Sequence, residues 1–345
     1  MTHATNLGES KPLLLDVRGL RTTLHTLGGP ITVVDGVDLV LPAASTLGVA
    51  GESGSGKSML ARSLMSLLPV RGEVTSDHFL FNGQAVDPQS PGSRVLWGPE
   101  IAMVFQDPMT ALNPVRTIGA QLTDTLRIHE RLGKEKARGR AADLLGRVGI
   151  PSPRSRLDVY PHEMSGGMRQ RVMIAIAISC SPRLLIADEP TTGLDVTVQR
   201  QILALLRRLK DEEDMAMILI SHDVAMLADE VDAVNIMYAG RTVETVTASQ
   251  LHDHDVRHRY SEALLLAHPD INAEPGVALE GIPGSPPSFA ALPAGCRFAA
   301  RCAHAEEICR LDEPTLGPDQ GARTYACHFP AHAVASKWPE LQEQL

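Results

Sequence analysis

Residues Gly51-Glu-Ser-Gly-Ser-Gly-Lys57-Ser58 lie between a short apolar run, Leu47 to Ala50, and a helical pattern with Leu60, Leu64, Leu67 and Leu68 on one side. Strand, glycine-rich loop and helix in that order bring consecutive backbone N–H groups and a helix N-terminus onto one anion. Gly51, Gly54 and Gly56 let the main chain turn tightly and approach phosphate oxygens with no Cβ in the way. Ser53 and Ser55 complete the cradle, Lys57 supplies a mobile cation for the β/γ-phosphates, and the Ser58 hydroxyl is a ligand for Mg²⁺. The stretch predicts a nucleotide triphosphate site.

Around it the chain reads as strands alternating with helices. Upstream, Leu13 to Val17, Ile31 to Val34 and Val37 to Leu41 read as short strands, with Gly28-Gly29-Pro30 as a turn. Downstream, Phe79 to Phe81 precedes an Asn82-Gly83 hairpin turn, and Ile101 to Phe105 is a compact apolar strand. From about Thr117 to Val148 the pattern turns charged and helical, with Leu122, Leu126, Leu144 and Leu145 at amphipathic spacing. A helix from about Gly167 to Ser179 leads to the strand Leu184 to Ala187, and a helix from Val198 to Leu209 leads to the strand Met217 to Ile220. The alternation predicts a largely parallel sheet with both faces covered.

In such a sheet the strand ends share one rim with the phosphate loop. Asp188 and Glu189 close the 184–187 strand, placing one carboxylate to hold Mg²⁺, directly or through water, and the other to act as general base on the attacking water. His222 follows the 217–220 strand and is placed to reach the γ-phosphate region. Gln106 ends the 101–105 strand, where its amide can contact both Mg²⁺ and the water.

Bulk properties narrow the class. Aromatic residues are only 3 %, so the core must be mainly aliphatic. The net charge of −9 and the lack of a long Lys/Arg block argue against a nucleic-acid partner. The first residues carry no apolar signal region, and the longest apolar run, Val172 to Ile178, is too short to span a bilayer. A soluble or peripheral cytoplasmic chain is expected, with its five cysteines reduced.

Gly51–Ser58, Gln106, Met164-Ser165-Gly166-Gly167-Met168, Leu184–Glu189, Gly193-Leu194-Asp195 and His222 occur in the order and spacing of an ABC-type ATPase. Over roughly residues 13 to 265 the chain resembles a nucleotide-binding subunit of an ABC transporter. The resemblance implies an α/β P-loop domain with a mostly parallel sheet core, an antiparallel β subdomain and a helical insertion at about 107–180. It also implies head-to-tail pairing with a second ATPase domain. ATP then sits between the phosphate loop of one domain and Ser165, Gly166 and Gly167 of the other, with Asp195 in the nucleotide-binding set. A serine and two glycines at a helix start are, in their own right, a second anion-binding N-terminus. Two departures stand out: Met168 replaces the commoner Gln of the signature, and Leu24, with His25 beside it, occupies the position where an aromatic usually stacks on adenine.

Prolines from 269 to 293 suggest a linker at 266–294, between the ATPase domain at 13–265 and a cysteine module at 295–330; residues 1–12 and 331–345 read as tails. The module holds Cys296, Cys302, Cys309 and Cys327, with five, six and seventeen residues between successive members, none of them the spacing of a zinc ribbon. Four thiols in a segment poor in apolar residues suggest a metal staple, with His304, His328 and His332 as spare ligands. Cys180 reads as a small buried apolar residue. The Gly295–Cys302 run, Tyr160–Met168 and Phe105–Pro114 resemble oligopeptide/dipeptide importer ATPases. That resemblance implies a [4Fe–4S] cluster on the four cysteines, with Zn²⁺ or metal-free thiols as the alternatives. It further implies a second ATPase subunit (a heterodimer), two transmembrane permeases, an extracytoplasmic solute-binding protein, and a place on the cytoplasmic face of the bacterial membrane. Nickel, glutathione or another small solute remain alternative cargoes, and a soluble ABC ATPase is the alternative from another class.

Overall fold

The computed structural model describes residues 11–69, 71–267, 281–319 and 323–331. Most of the two expected tails, and residues 268–280 of the expected linker, lie outside the described residues.

Five parallel strands form the centre of the main sheet. They lie side by side in the order Ala233–Tyr238, Thr46–Ala50, Ala216–Ser221, Leu184–Asp188 and Ile101–Val104. Four of these strands, all but Ala233–Tyr238, are buried along their whole length, which is why they read as unbroken apolar runs rather than alternating ones. Alternate residues still face opposite layers. Ile101, Met103, Leu184, Ile186, Ile218 and Ile220 join one core, and Ala102, Val104, Leu185, Ala187, Met217 and Leu219 join the other.

The first core lies between the main sheet and a second, antiparallel sheet built on Leu13–Thr26 and Gly29–Pro42. The three short strands expected there are two long, bulged ones: the register slips between Val17 and Leu20 and again before Thr22. At the first slip Gly19 has φ +61°, and a Cβ there would sit 2.1 Å from the Asp77 carboxylate, so the bulge needs glycine. The Asn82-Gly83 turn is as expected, both residues being left-handed at φ 51° and 73°.

The other core is covered by helices, including Ile118–His129, Lys134–Arg147, Gly166–Ala177 and Val196–Glu212. The stretch expected to be helical at 117–148 is a pair of helices, interrupted near Arg131, which has φ 55°. Leu122, Leu126, Leu144 and Leu145 are all fully buried, as their spacing predicts.

The cysteine-bearing segment does not stand apart. Thr324–Tyr325 pairs antiparallel with Arg241–Thr247, and Gly317–Pro318 pairs with Thr324–Tyr325, so the segment extends the edge of the main sheet. The described part of the proline-rich stretch is docked as well, with Ile282 and Leu292 packed against the helical-side core. A segment too poor in apolar residues for its own core thus borrows one.

Candidate functional site

The Thr46–Ala50 strand runs into the loop at Gly51, and the Lys57–Leu64 helix leaves it. Gly51, Gly54 and Gly56 have φ of 146°, 81° and 103°, a region open to glycine at little cost. A Cβ on Gly51 would lie 2.2 Å from the Met237 carbonyl, so the loop also needs the space. Ser53 and Gly54 are exposed, while Ser55 and Lys57 are buried. Lys57 Nζ donates to the carbonyls of Gly51 at 2.7 Å and Glu52 at 2.8 Å, curling the ammonium back into its own loop. Burial holds its pKa below the ordinary lysine value, against the opposing pull of Glu189, Asp188 and Glu52.

Neighbouring strand ends deliver the acidic residues to the same rim. Ser58 Oγ donates to Asp188 Oδ1 at 2.9 Å. Burial pushes the Asp188 carboxyl above its usual range, the Glu189 charge adds to the rise, and the Ser58 hydrogen bond opposes it. A hydroxyl hydrogen-bonded to a buried carboxylate offers oxygen ligands of the kind that suits Mg²⁺, and Gln106 is tied to the same rim through Glu189.

Glu189 follows with φ 44°, strained for a residue bearing a Cβ, and its N–H donates to the Ile220 carbonyl. This turn brings three groups onto one carboxylate oxygen. Gln106 Nε2 donates to Oε2 at 2.9 Å, Thr192 Oγ1 donates at 2.8 Å, and His222 Nδ1 lies at 3.4 Å. Such a carboxylate is held in one direction, one residue beyond Asp188, an arrangement that suits a general base. Gln106 and His222, whose motifs persuade little alone, are therefore brought together here. Thr192 was missed; it follows Pro190-Thr191, and nothing in its local pattern sets it apart.

Ser165 caps the Gly166–Ala177 helix by accepting from the Met168 N–H at 3.3 Å, and it remains exposed. Gly166 and Gly167 open that helix, and a Cβ on Gly167 would meet Val198 at 2.9 Å. Asp195 caps the Val196–Glu212 helix through Val198 N–H at 3.0 Å. Among the described residues no hydrogen bond joins Ser165, Gly166, Gly167 or Asp195 to the phosphate loop. Leu24 is half-buried against Gly72, whereas the neighbouring His25 is exposed.

The expectation of an iron–sulfur cluster, or of zinc in its place, is corrected. Cys296, Cys302, Cys309 and Cys327 line one narrow cavity of about 20 Å³ together with His304 and His328. Yet among the described residues no group of three or more His, Cys, Asp or Glu is arranged to hold a metal ion. All four thiols are free. Burial pushes Cys296 up to about 11 and raises Cys302 and Cys327, with neighbouring thiols adding to each rise. His332 lies outside the described residues. Among the described residues no helix is long and apolar enough to cross a membrane.

Comparison with known proteins agrees with this geometry. Residues 34–192 match the family described as "ABC transporter", and residues 243–309 match "Oligopeptide/dipeptide transporter, C-terminal region". The chain is 45 % identical over 318 residues to the dipeptide transport ATP-binding protein DppD of Escherichia coli, covering 92 % of this chain and 97 % of that one. It is 45 % identical over 332 residues to the oligopeptide transport ATP-binding protein OppD of Salmonella typhimurium, covering 96 % and 98 %. Among solved structures it resembles cbiO1 of Clostridium perfringens, described as part of the ABC transporter complex cbiONQ. That likeness has a TM-score of 0.60 at 25 % identity and covers 71 % of this chain and 92 % of the other.

Proposed function

The chain belongs to the family of ATP-binding subunits of ABC peptide transporters, and on that premise we propose that it hydrolyses ATP to drive the import of dipeptides or oligopeptides. The observation that carries the hydrolytic reading is the Glu189 carboxylate gathering Gln106, Thr192 and His222, one residue beyond the Asp188 that holds Ser58.

Gly51 to Ser58 bind the phosphates through backbone N–H groups, and Lys57 leaves its loop carbonyls to follow them. Ser58, Asp188 and Gln106 would hold Mg²⁺, which would supply charge neutralisation for the phosphates. Glu189 takes the proton of the attacking water, Gln106 orients that water, and His222 contacts the γ-phosphate. Ser165, Gly166, Gly167 and Asp195 serve the phosphate loop of a second ATPase subunit. This explains why a chain with one phosphate loop carries a second exposed, serine-capped helix start. The exposed His25, rather than Leu24, is the ring available to adenine.

The partners that follow are two membrane permeases, a related but different ATPase subunit and an extracytoplasmic solute-binding protein. Through the permeases the chain sits on the cytoplasmic face of the membrane. Peptide is favoured over nickel, glutathione or another solute because the 243–309 region matches the peptide-transporter description and both cited relatives are peptide-transport proteins. The test is uptake in proteoliposomes holding the whole transporter. ATP-dependent accumulation of labelled dipeptide or oligopeptide supports the reading, and accumulation of nickel or glutathione alone refutes the cargo.

A further inference from the structure

The phosphate loop is gripped from outside by the C-terminal segment. Glu52, the second residue of the loop, accepts two hydrogen bonds on its carboxylate from Arg301, at 2.6 and 2.9 Å. Its N–H donates to the Tyr260 hydroxyl at 2.7 Å, and its carbonyl is one of the two on which Lys57 rests. All three polar groups of one loop residue are thereby committed.

Arg301 is itself fixed. Its side chain is 4 % exposed. Nε donates to the Pro283 carbonyl at 2.7 Å, Nη2 reaches the Ile282 carbonyl at 3.3 Å, and Nη1 reaches the Tyr238 hydroxyl at 3.3 Å. The guanidinium also lies 5.8 Å from the centre of the Tyr238 ring and 5.9 Å from that of Phe298. Tyr238, Tyr260 and Phe298 pack together with ring centres 4.6 to 5.4 Å apart, so aromatic residues of a chain otherwise poor in them collect at this joint. The supporting turn is rigid: Cys296 N–H donates to the Cys309 carbonyl, and a Cβ on Gly295 would lie 2.5 Å from that same oxygen.

We infer that Arg301 is a positioning residue for ATP, holding the phosphate loop through Glu52 so that the C-terminal segment sets nucleotide affinity. Two physical consequences follow from the pair. The fork of Arg301 fixes the direction of Glu52, and with it the carbonyl that Lys57 must leave when phosphate arrives. The guanidinium also neutralises a carboxylate inside a loop whose ligand is a triphosphate. Left unpaired, that carboxylate repels the ligand and competes for Lys57. This inference rests on the assignment of Gly51–Ser58 as the ATP site.

The experiment is equilibrium titration of the full chain with a fluorescent ATP analogue. Arg301→Gln is expected to weaken analogue binding about tenfold. Arg301→Lys, which keeps the charge but loses the fork, should fall between. Adding Glu52→Gln to Arg301→Gln should recover most of the loss, because the orphaned charge is gone; a merely structural role would not be rescued by a second change at the same joint. The control is Arg323→Gln, which cuts the same segment's bonds to Asp255 and Asp319 but touches nothing in the loop. Unchanged binding in Arg301→Gln, an equal loss in Arg323→Gln, or no recovery in the double variant each overturns the proposal. Lys57→Ala separates the two readings: analogue binding surviving that change would instead refute the ATP site itself.

Discussion

Replacing Glu189 by Gln is the most incisive test of the rim. The residue is 7 % exposed, and its Oε2 takes hydrogen bonds from Gln106 and Thr192 at 2.9 and 2.8 Å, with His222 Nδ1 at 3.4 Å. Glutamine has the same shape, and its amide oxygen can keep the Thr192 and Gln106 bonds, so folding should be little affected. What disappears is the proton acceptor. Positioned general bases contribute about 10² to 10⁴ in rate, or about 3 to 5 kcal/mol of barrier. Binding should survive the change. Asp188, which holds Ser58, loses a neighbouring negative charge that raises its pKa, so the Mg²⁺ side of the site gains rather than loses. The expected result is phosphate release falling at least a hundredfold, with fluorescent ATP-analogue binding retained and an unchanged melting temperature. A fall of less than about tenfold would refute the assignment of Glu189 as the base. So would a fall matched by an equal loss of nucleotide affinity.

Lys57→Ala should lose nucleotide affinity outright in the same titration, since no other cation of the loop can follow the phosphates. Asp188→Asn should abolish turnover yet raise the melting temperature of the nucleotide-free chain at neutral pH. The folded-state pKa of Asp188 is raised by burial, so its ionised form costs stability at pH values above that raised value. The gain should vanish as pH falls below the ordinary value of 3.8, and a variant that melts lower than the parent at neutral pH would contradict the burial argument. Cys302→Ser alters a thiol lining the small C-terminal cavity, whereas the segment's bonds to Glu52 come from Arg301, so ATP turnover should stay within about twofold in a phosphate-release assay.

Much of the site was legible because phosphate chemistry uses local patterns. Glycines at 51, 54 and 56 announce a backbone that other residues adopt only with strain, and the loop's φ values bear this out. The strand ends carrying Gln106, Asp188 and His222 were readable because parallel strands buried on both faces appear as uninterrupted aliphatic runs. Bulges were not legible. Gly19 lies within a strand reaching from Leu13 to Thr26, and a glycine there resembles a strand end until Asp77 is seen against it.

The cysteine segment shows where local reading runs out. Its thiols suggested a staple because the segment has too little apolar surface to fold alone. That premise is right, but stability comes from a different source: two added strands at the sheet edge and a ring cluster shared with Tyr238 and Tyr260. Neither contact has a sequence period, since each joins residues far apart in the chain. The Glu52–Arg301 pair is another such case, spanning 249 positions. Glu52 occupies a place where the loop pattern accepts any residue, so nothing local marks its carboxylate. A charged side chain there would ordinarily be a liability beside a triphosphate. It becomes tolerable only with a cation held in register behind it, and that is the work of Pro283, Tyr238 and Phe298. A position that the loop pattern leaves open is therefore where the C-terminal segment has its hold on the phosphate site.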